Sequence, residues 1–300
     1  MRLAACSVGA ALAAPLGGIG QHEQVQTGEQ EQGEREHRQE AHPRGILPLY
    51  PATMLTMTAT VKAMHSQRWV CRTRLFPQRQ PLIRTLVYAG ICHPARTVGG
   101  DYYDFLDLGN RRLGLVVADI AGKGIGAALL MANLQAALRS QSATAWEQPE
   151  RFLRSVNQLL YENTAEGDYA TLFFAEYDDD TRKLRYSNCG HPPALLLRGN
   201  DGLERLGATC TVVGLFEKWD CTLEERELAP GDAVLLYTDG VTEALNSAGE
   251  EFGEERLLEA IRQHREQSVP ELLAAAADQV RGFSPHEQAD DITLIVAKCT

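Results

Sequence analysis

From Thr85 onward, short apolar runs alternate with turn residues. Leu86–Cys92, Arg112–Ile120, Tyr169–Tyr177, Leu184–Asn188, Ala194–Arg198, Ala233–Thr238 and Asp291–Lys298 all read as strands. Apolar positions spaced by three and four predict helices over Ala127–Ser140, Pro149–Ala165, Glu254–Glu266 and Pro270–Phe283. Pro149 and Pro270 stand where a first helical turn tolerates proline, whose missing N–H would have no partner there. The helices come in two consecutive pairs with strands around them. Strict strand-helix-strand alternation is absent, which predicts an α+β fold rather than a doubly wound sheet.

Upstream of Thr85 the texture differs. The first 20 residues are small and apolar, but only Met1 and Arg2 precede the Leu3-Ala4-Ala5-Cys6 stretch. A cleaved leader needs an apolar core before its cysteine, so a mis-assigned start or a loose extension is the better reading. Residues 21–45 are rich in Gln and Glu and nearly free of large apolar groups. They bury too little surface to offset ordering entropy, so 1–45 reads as a disordered extension. Residues 46–84 read as a linker or adaptor helix. Met54, Leu55, Met57, Val61, Met64, Trp69, Val70, Leu75 and Phe76 gather at helical spacings. Such a stripe must pack on the core or on a second copy, as a homodimer. Residues 85–300 then form one domain.

Composition narrows the class. Hydrophobic residues make up 44% of the 300, enough for a sizeable core. Forty Asp and Glu against 29 Lys and Arg give a net charge of −11, which argues against a nucleic-acid partner held by a basic field. The seven cysteines form no CxxC pair, so reduced thiols in a cytoplasmic protein fit best. No apolar run in the second half reaches a membrane span of roughly 18–20 residues.

Four segments put an Asp where a strand meets a loop: Gly99-Gly100-Asp101, Ala118-Asp119-Ile120, Thr238-Asp239-Gly240 and Ala289-Asp290-Asp291. Strand ends gathered at one rim would bring these carboxylates together. Crowded carboxylates repel unless protons or cations cancel the charge. Oxygen-only ligation selects Mg²⁺ or Mn²⁺. Two such ions can activate a water and clamp a phosphoryl oxygen, so the residues point to a two-metal hydrolase of phosphate esters. A single Asp-Gly is usually a turn; four acid-bearing strand ends outweigh that reading. Asp104 and Asp107 read as ordinary surface acids.

The ordered set R-x-V-G-G-D-Y-Y-D, A-D-I-A-G-K-G-I-G-A-A-L-L-M, Y-A-T-L-F-F-A, N-C-G-H-P-P-A, L-Y-T-D-G-V-T-E-A and A-D-D-I-T-L-I-V resembles the PPM-type metal-dependent serine/threonine phosphatases, most closely their SpoIIE/RsbU-like bacterial branch. It covers about Thr85–Lys298. The resemblance implies two packed antiparallel β-sheets flanked by helices on both outer faces. It implies two Mn²⁺ or Mg²⁺ ions bridged by Asp119, with the Ile120 carbonyl on one and Asp239 and Asp290 on the other. Asp101 would add a further acid ligand. Asp291, Gly240 and Gly100 would support the site from behind. Family members remove phosphate from phosphoserine or phosphothreonine of regulatory proteins, often antagonists of anti-sigma factors, by attack of a metal-bridging water. In that branch a helical element before the catalytic domain couples an upstream signal to the metal site.

In eukaryotic relatives Gly and His follow the bridging Asp, and the His is taken as general acid. Here the run is Asp119-Ile120-Ala121. His191 is the candidate replacement; its other reading is a turn residue between Gly190 and Pro192. Arg96 stands where those relatives hold phosphate, and a guanidinium suits bidentate contact; its other reading is an exposed loop arginine. Gly122-Lys123-Gly124-Ile125-Gly126-Ala127 imitates a dinucleotide fingerprint. Yet Asp119 would repel a pyrophosphate, and the next element is a helix rather than the strand such a unit needs. Two alternatives to a protein phosphatase stand: a catalytically weak interaction module of the same fold, and a small-molecule phosphatase.

Overall fold

The computed structural model describes residues 75–300 except 97, 146, 166, 286 and 287. The predicted extension and the stripe as far as residue 74 lie outside the described residues. Leu75 and Phe76, its last two positions, stand in a turn and a bend rather than a helix. Both pack on the domain: Leu75 against a core cluster, Phe76 against the Tyr103 ring at 5.2 Å.

Ten strands form two five-stranded sheets. One has the order β1 (Leu86–His93), β10 (Ile292–Cys299), β9 (Ala233–Tyr237), β6 (Ala194–Leu197), β7 (Leu203–Leu206). The other runs β2 (Tyr102–Asp107), β3 (Arg112–Ile120), β4 (Ala170–Asp178), β5 (Lys183–Cys189), β8 (Glu224–Glu227). Every strand pairing within these sheets is antiparallel.

Strand alternation assigns each side chain to a layer. Leu113, Leu115 and Val117 of β3 meet Ile295 and Ala297 of β10 in the cluster between the sheets. Val116, Ala118 and Ile120 point the other way, against helices α1 (Ile125–Ala145) and α2 (Pro149–Glu162). On the far side, Leu294 and Val296 pack on α4 (Gly253–Gln263) and α5 (Val269–Phe283). The single turn α3 (Asp239–Thr242) follows β9 directly. The helix-sheet-sheet-helix sandwich expected from the sequence is the observed one. No helix among the described residues is long and apolar enough to cross a membrane.

Three strands lacked a sequence signal for physical reasons. Tyr102–Asp107 is buried on both faces and shows no alternation. Glu224–Glu227 is a charged edge strand, largely exposed, held to β5 in part by the Lys183–Glu225 ion pair at 2.7 Å. Leu203–Leu206 is the short opposite edge.

Asp104 requires a correction. It is not a surface acid but 1% exposed. Its carboxylate accepts from Arg139 Nε at 2.6 Å and Nη2 at 3.0 Å, and from the Tyr102 hydroxyl. This fork bolts α1 to β2; Asp107 is exposed as expected. Removing Asp104 strands the buried Tyr102 hydroxyl and the partly exposed Arg139 guanidinium, at a cost of about 2 kcal/mol. Urea unfolding of Asp104→Ala should show that loss. A change under about 1 kcal/mol would mean the pair behaves as a solvated surface contact.

Candidate metal centre

Two strands from each sheet end at one rim. Asp101 immediately precedes β2, and Asp119 and Ile120 close β3. In the facing sheet, Thr238 and Asp239 follow β9, while Asp290 and Asp291 precede β10. Antiparallel pairing makes this convergence unavoidable, because the end of one strand lies beside the start of its neighbour. Thr238 N donates to Thr293 O at 3.1 Å, fixing that register at the site.

Asp101 is the most buried acid of this rim, 3% exposed. Its Oδ2 accepts from Thr238 Oγ1 at 2.7 Å and from Thr293 Oγ1, so both strands of the facing sheet hold it. Asp291 is also buried. Its carboxylate accepts from Ala95 N at 2.8 Å and Asp101 N at 3.4 Å, pinning the loop that carries Arg96 and Asp101. Asp290 lies nearer solvent and pairs with Lys123 Nζ at 2.8 Å. Among the described residues no three acid side chains converge on one point.

Glycines create the close approach. A Cβ on Gly99 would lie 1.5 Å from Asp291 Oδ2, and one on Gly240 2.1 Å from the Asp291 carbonyl. Gly100 faces the Ile120 carbonyl and Asp119 Oδ1, which its Cβ would meet at 3.0 and 3.2 Å. Gly122 and Gly124 hold φ of +105° and +85°, a left-handed path that turns the chain from Asp119 into α1.

The electrostatics are those of crowded acids. Burial holds Asp101 well above the ordinary carboxylate range, and the Asp119 charge adds to it. Burial pushes Asp119 up to about 7, with Asp239, Asp290 and Asp291 adding repulsion. Asp239 is raised by burial and then by Asp290. Such a set of oxygens, cradled by glycines, fits hard divalent cations.

Arg96, Asp119, Ile120, Lys123 and Asp290 line one cleft of about 110 Å³. Lys123 feels both Asp290 and the Arg96 charge, so two cations border it. A second cleft, about 360 Å³, is bounded by Asp119, Thr171, His191, Asp239 and Glu243. Lys123 and the hydroxyls of Thr238 and Thr293 escaped the sequence reading. The available signal was their position, one cation inside the glycine turn and hydroxyls beside the strand-end acids.

His191 lies in the connection between β5 and β6, after Gly190 and before Pro192, and it is buried rather than open to solvent. Its ring is buried, with Nε2 3.1 Å from the Tyr237 carbonyl and Nδ1 2.9 Å from Thr171 Oγ1. A carbonyl only accepts, so Nε2 carries the proton and Nδ1 accepts from the hydroxyl. Burial pulls its pKa down to about 4. The neutral imidazole ties β4, where Thr171 sits opposite Asp119, to the end of β9.

Folded Asp119 titrates near 7, above its unfolded value near 3.8, so the folded chain binds more protons between those values. Stability falls as pH rises through that window. His191 has the opposite sign, its folded value lying below its unfolded one; that contribution cancels when two variants are compared. In chelator, Asp119→Asn should therefore gain thermal stability over wild type, by a margin that grows from about pH 5 to about pH 8. A margin independent of pH would mean Asp119 is not under like-charge strain.

The family model described as stage II sporulation protein E (SpoIIE) matches residues 109–300. The phosphoserine phosphatase RsbU of Bacillus subtilis is 30% identical over 226 residues, 75% of this chain and 66% of that protein. Protein IcfG of Synechocystis is 31% identical over 232 residues, 68% of this chain and 36% of that protein. The chain thus spans about two thirds of one curated relative and about a third of the other. The SiaA-PP2C domain of Pseudomonas aeruginosa shares the fold, with a TM-score of 0.64 at 24% identity over 71% of this chain and 86% of that one. With the family match covering most of the described domain, and with acid-bearing strand ends from both sheets meeting at one rim, the chain belongs to the SpoIIE family.

Proposed function

We propose that this chain is a metal-dependent phosphatase that hydrolyses phosphoserine or phosphothreonine on a regulatory protein, such as an anti-sigma factor antagonist, in the cytoplasm. The observation that carries the reading is the gathering of Asp101, Asp119, Asp239 and Asp290 at one rim beside two cations. Kinship with a phosphoserine phosphatase supports it.

In this reading Asp119, the Ile120 carbonyl, Asp101, Asp239 and Asp290 hold two Mn²⁺ or Mg²⁺ ions. Bound there, the ions supply an activated water and polarise the phosphoryl oxygens. The remaining work falls to the chain itself. Arg96 offers a planar guanidinium to the phosphate, and Lys123 adds a point charge on the same side. These cations offset an acidic cleft that would otherwise repel a phosphate dianion. Asp291 keeps Arg96 in place by fastening the Ala95 and Asp101 amides. His191 keeps the Asp119 and Asp239 strand ends together and contributes no proton. Residues 46–84 pair two copies through the apolar positions Met54 to Val70, while Leu75 and Phe76 stay on the domain.

The test is phosphate release from phosphorylated candidate proteins with Mn²⁺, in parallel with free phosphoserine. Release should vanish in excess chelator, and the phosphoprotein should be the better substrate. Full activity in chelator overturns the metal assignment, and a preference for free phosphoserine favours a small-molecule phosphatase. Asp119→Ala and Asp239→Ala should each slow turnover about a hundredfold or more, on the order of 3 kcal/mol in the barrier, with circular dichroism unchanged. A folded variant at wild-type rate removes that residue from the site. Light scattering of the full chain should give a dimer mass; a monomer refutes the pairing.

A further inference from the structure

Away from the carboxylates, two cysteines meet. Cys189 closes β5 and is fully buried; Cys210 lies in the loop after β7 and is half-buried. Their sulfurs are 3.3 Å apart. The two residues form an isolated parallel bridge, so their backbones run side by side. Strand spacing of about 4.8 Å lies inside the Cα separation of about 4.4–6.8 Å that a disulfide spans. The Cys210 loop is already fixed there, because Thr209 N and Cys210 N donate to Asn188 O at 2.8 and 3.1 Å. Closing the bond needs side-chain rotation and little backbone movement.

The surroundings divide the labour between the sulfurs. Ser187 Oγ lies 3.3 Å from Cys210 Sγ, and Thr209 Oγ1 donates to it at 3.8 Å. The Cys189 thiol is the first donor to a Cys210 thiolate and brings its pKa down to about 6 despite burial, with Ser187 and Thr209 assisting. Burial holds Cys189 itself well above the usual thiol range. The third neighbour, Cys221, is pushed up to about 12 by burial, and its thiol faces the Glu150 carbonyl at 3.8 Å. A half-buried thiolate beside a fully buried protonated thiol is an attacking and resolving pair.

We propose that Cys189 and Cys210 are a reversible oxidation site for hydrogen peroxide. The Cys210 thiolate attacks one peroxide oxygen; a sulfur–oxygen bond forms, the oxygen–oxygen bond breaks, and hydroxide leaves to be protonated to water. Cys210 is then a sulfenic acid. The Cys189 sulfur attacks Cys210 Sγ, its proton leaves with the departing hydroxide as a second water, and the disulfide forms. Two thiols and one peroxide give one disulfide and two waters. The new bond staples the Cys210 loop to the strand that leads, through Gly190, into His191. The chemistry is independent of the reaction at the carboxylates.

The experiment uses the full chain, reduced, desalted and exposed to hydrogen peroxide. The sample is quenched in acid, alkylated in denaturant and digested for mass spectrometry. One linked peptide pair joining Cys189 to Cys210 is expected, two hydrogens lighter than the thiols and reversed by dithiothreitol. Cys221→Ser should leave it unchanged. In Cys189→Ser, Cys210 should instead be trapped by dimedone as the sulfenic acid. The rate of Cys210 oxidation should level off above about pH 6 rather than near the ordinary thiol value of about 8.5. Recovery of both cysteines as alkylated thiols, under peroxide that oxidises a small thiol in the same buffer, would overturn the proposal. So would a disulfide from Cys210 to any other cysteine.

Discussion

Like charge held in a poorly solvated seam is the constraint on which the rest of this structure depends. Two carboxylates about 4 Å apart repel by about 4 kcal/mol at an effective dielectric near 20, a large share of the stability of a typical domain. Burial raises both Asp101 and Asp119, and repulsion from the neighbouring carboxylates Asp239, Asp290 and Asp291 adds to it at Asp119. The fold keeps them there by making them the ends of strands whose other residues are committed to apolar layers. Leu115, Val117 and Ile295 cannot leave the central layer without exposing it, so the acids at their ends cannot retreat.

Several contacts convert that constraint into a shaped site. Thr238 and Thr293 hold Asp101 from the opposite sheet. His191, neutral and bonded at both nitrogens, crosses between the sheets one register step from Asp119. Asp291 spends its carboxylate on backbone amides, which places Arg96 at the cleft. Lys123 answers Asp290 from the glycine turn. The glycines that let these groups approach are required by distance: at Gly99 and Gly240 a methyl group would overlap Asp291.

A similar division between fixed and reactive groups recurs at the C-terminal end of β5. Backbone hydrogen bonds fix the Cys210 loop against Asn188, and the sulfurs meet because the backbones do. The same sequence of four residues, Asn188-Cys189-Gly190-His191, serves both places. Its first half organises the cysteine contact, and its last residue braces the acid rim.

The sequence alone determined the α+β class, because period-two runs and paired helical stripes are local properties of the chain; the layering of two sheets came only with the family resemblance. Seven of the strands and all four long helices were legible in that way, and the acids at strand ends announced their chemistry by residue type and position. Tertiary structure decided what local patterns cannot encode. Tyr102–Asp107 became a strand only because both of its faces are covered, and Glu224–Glu227 only because β5 offered an edge. Asp104 turned inward because Arg139, 35 residues away, reaches it from α1. His191 is held between the sheets because Thr171 and Tyr237 arrive from different sheets to occupy both nitrogens. In each case the deciding partner is distant along the chain, and burial, which no single residue declares, sets whether a polar group is solvated, paired or shifted.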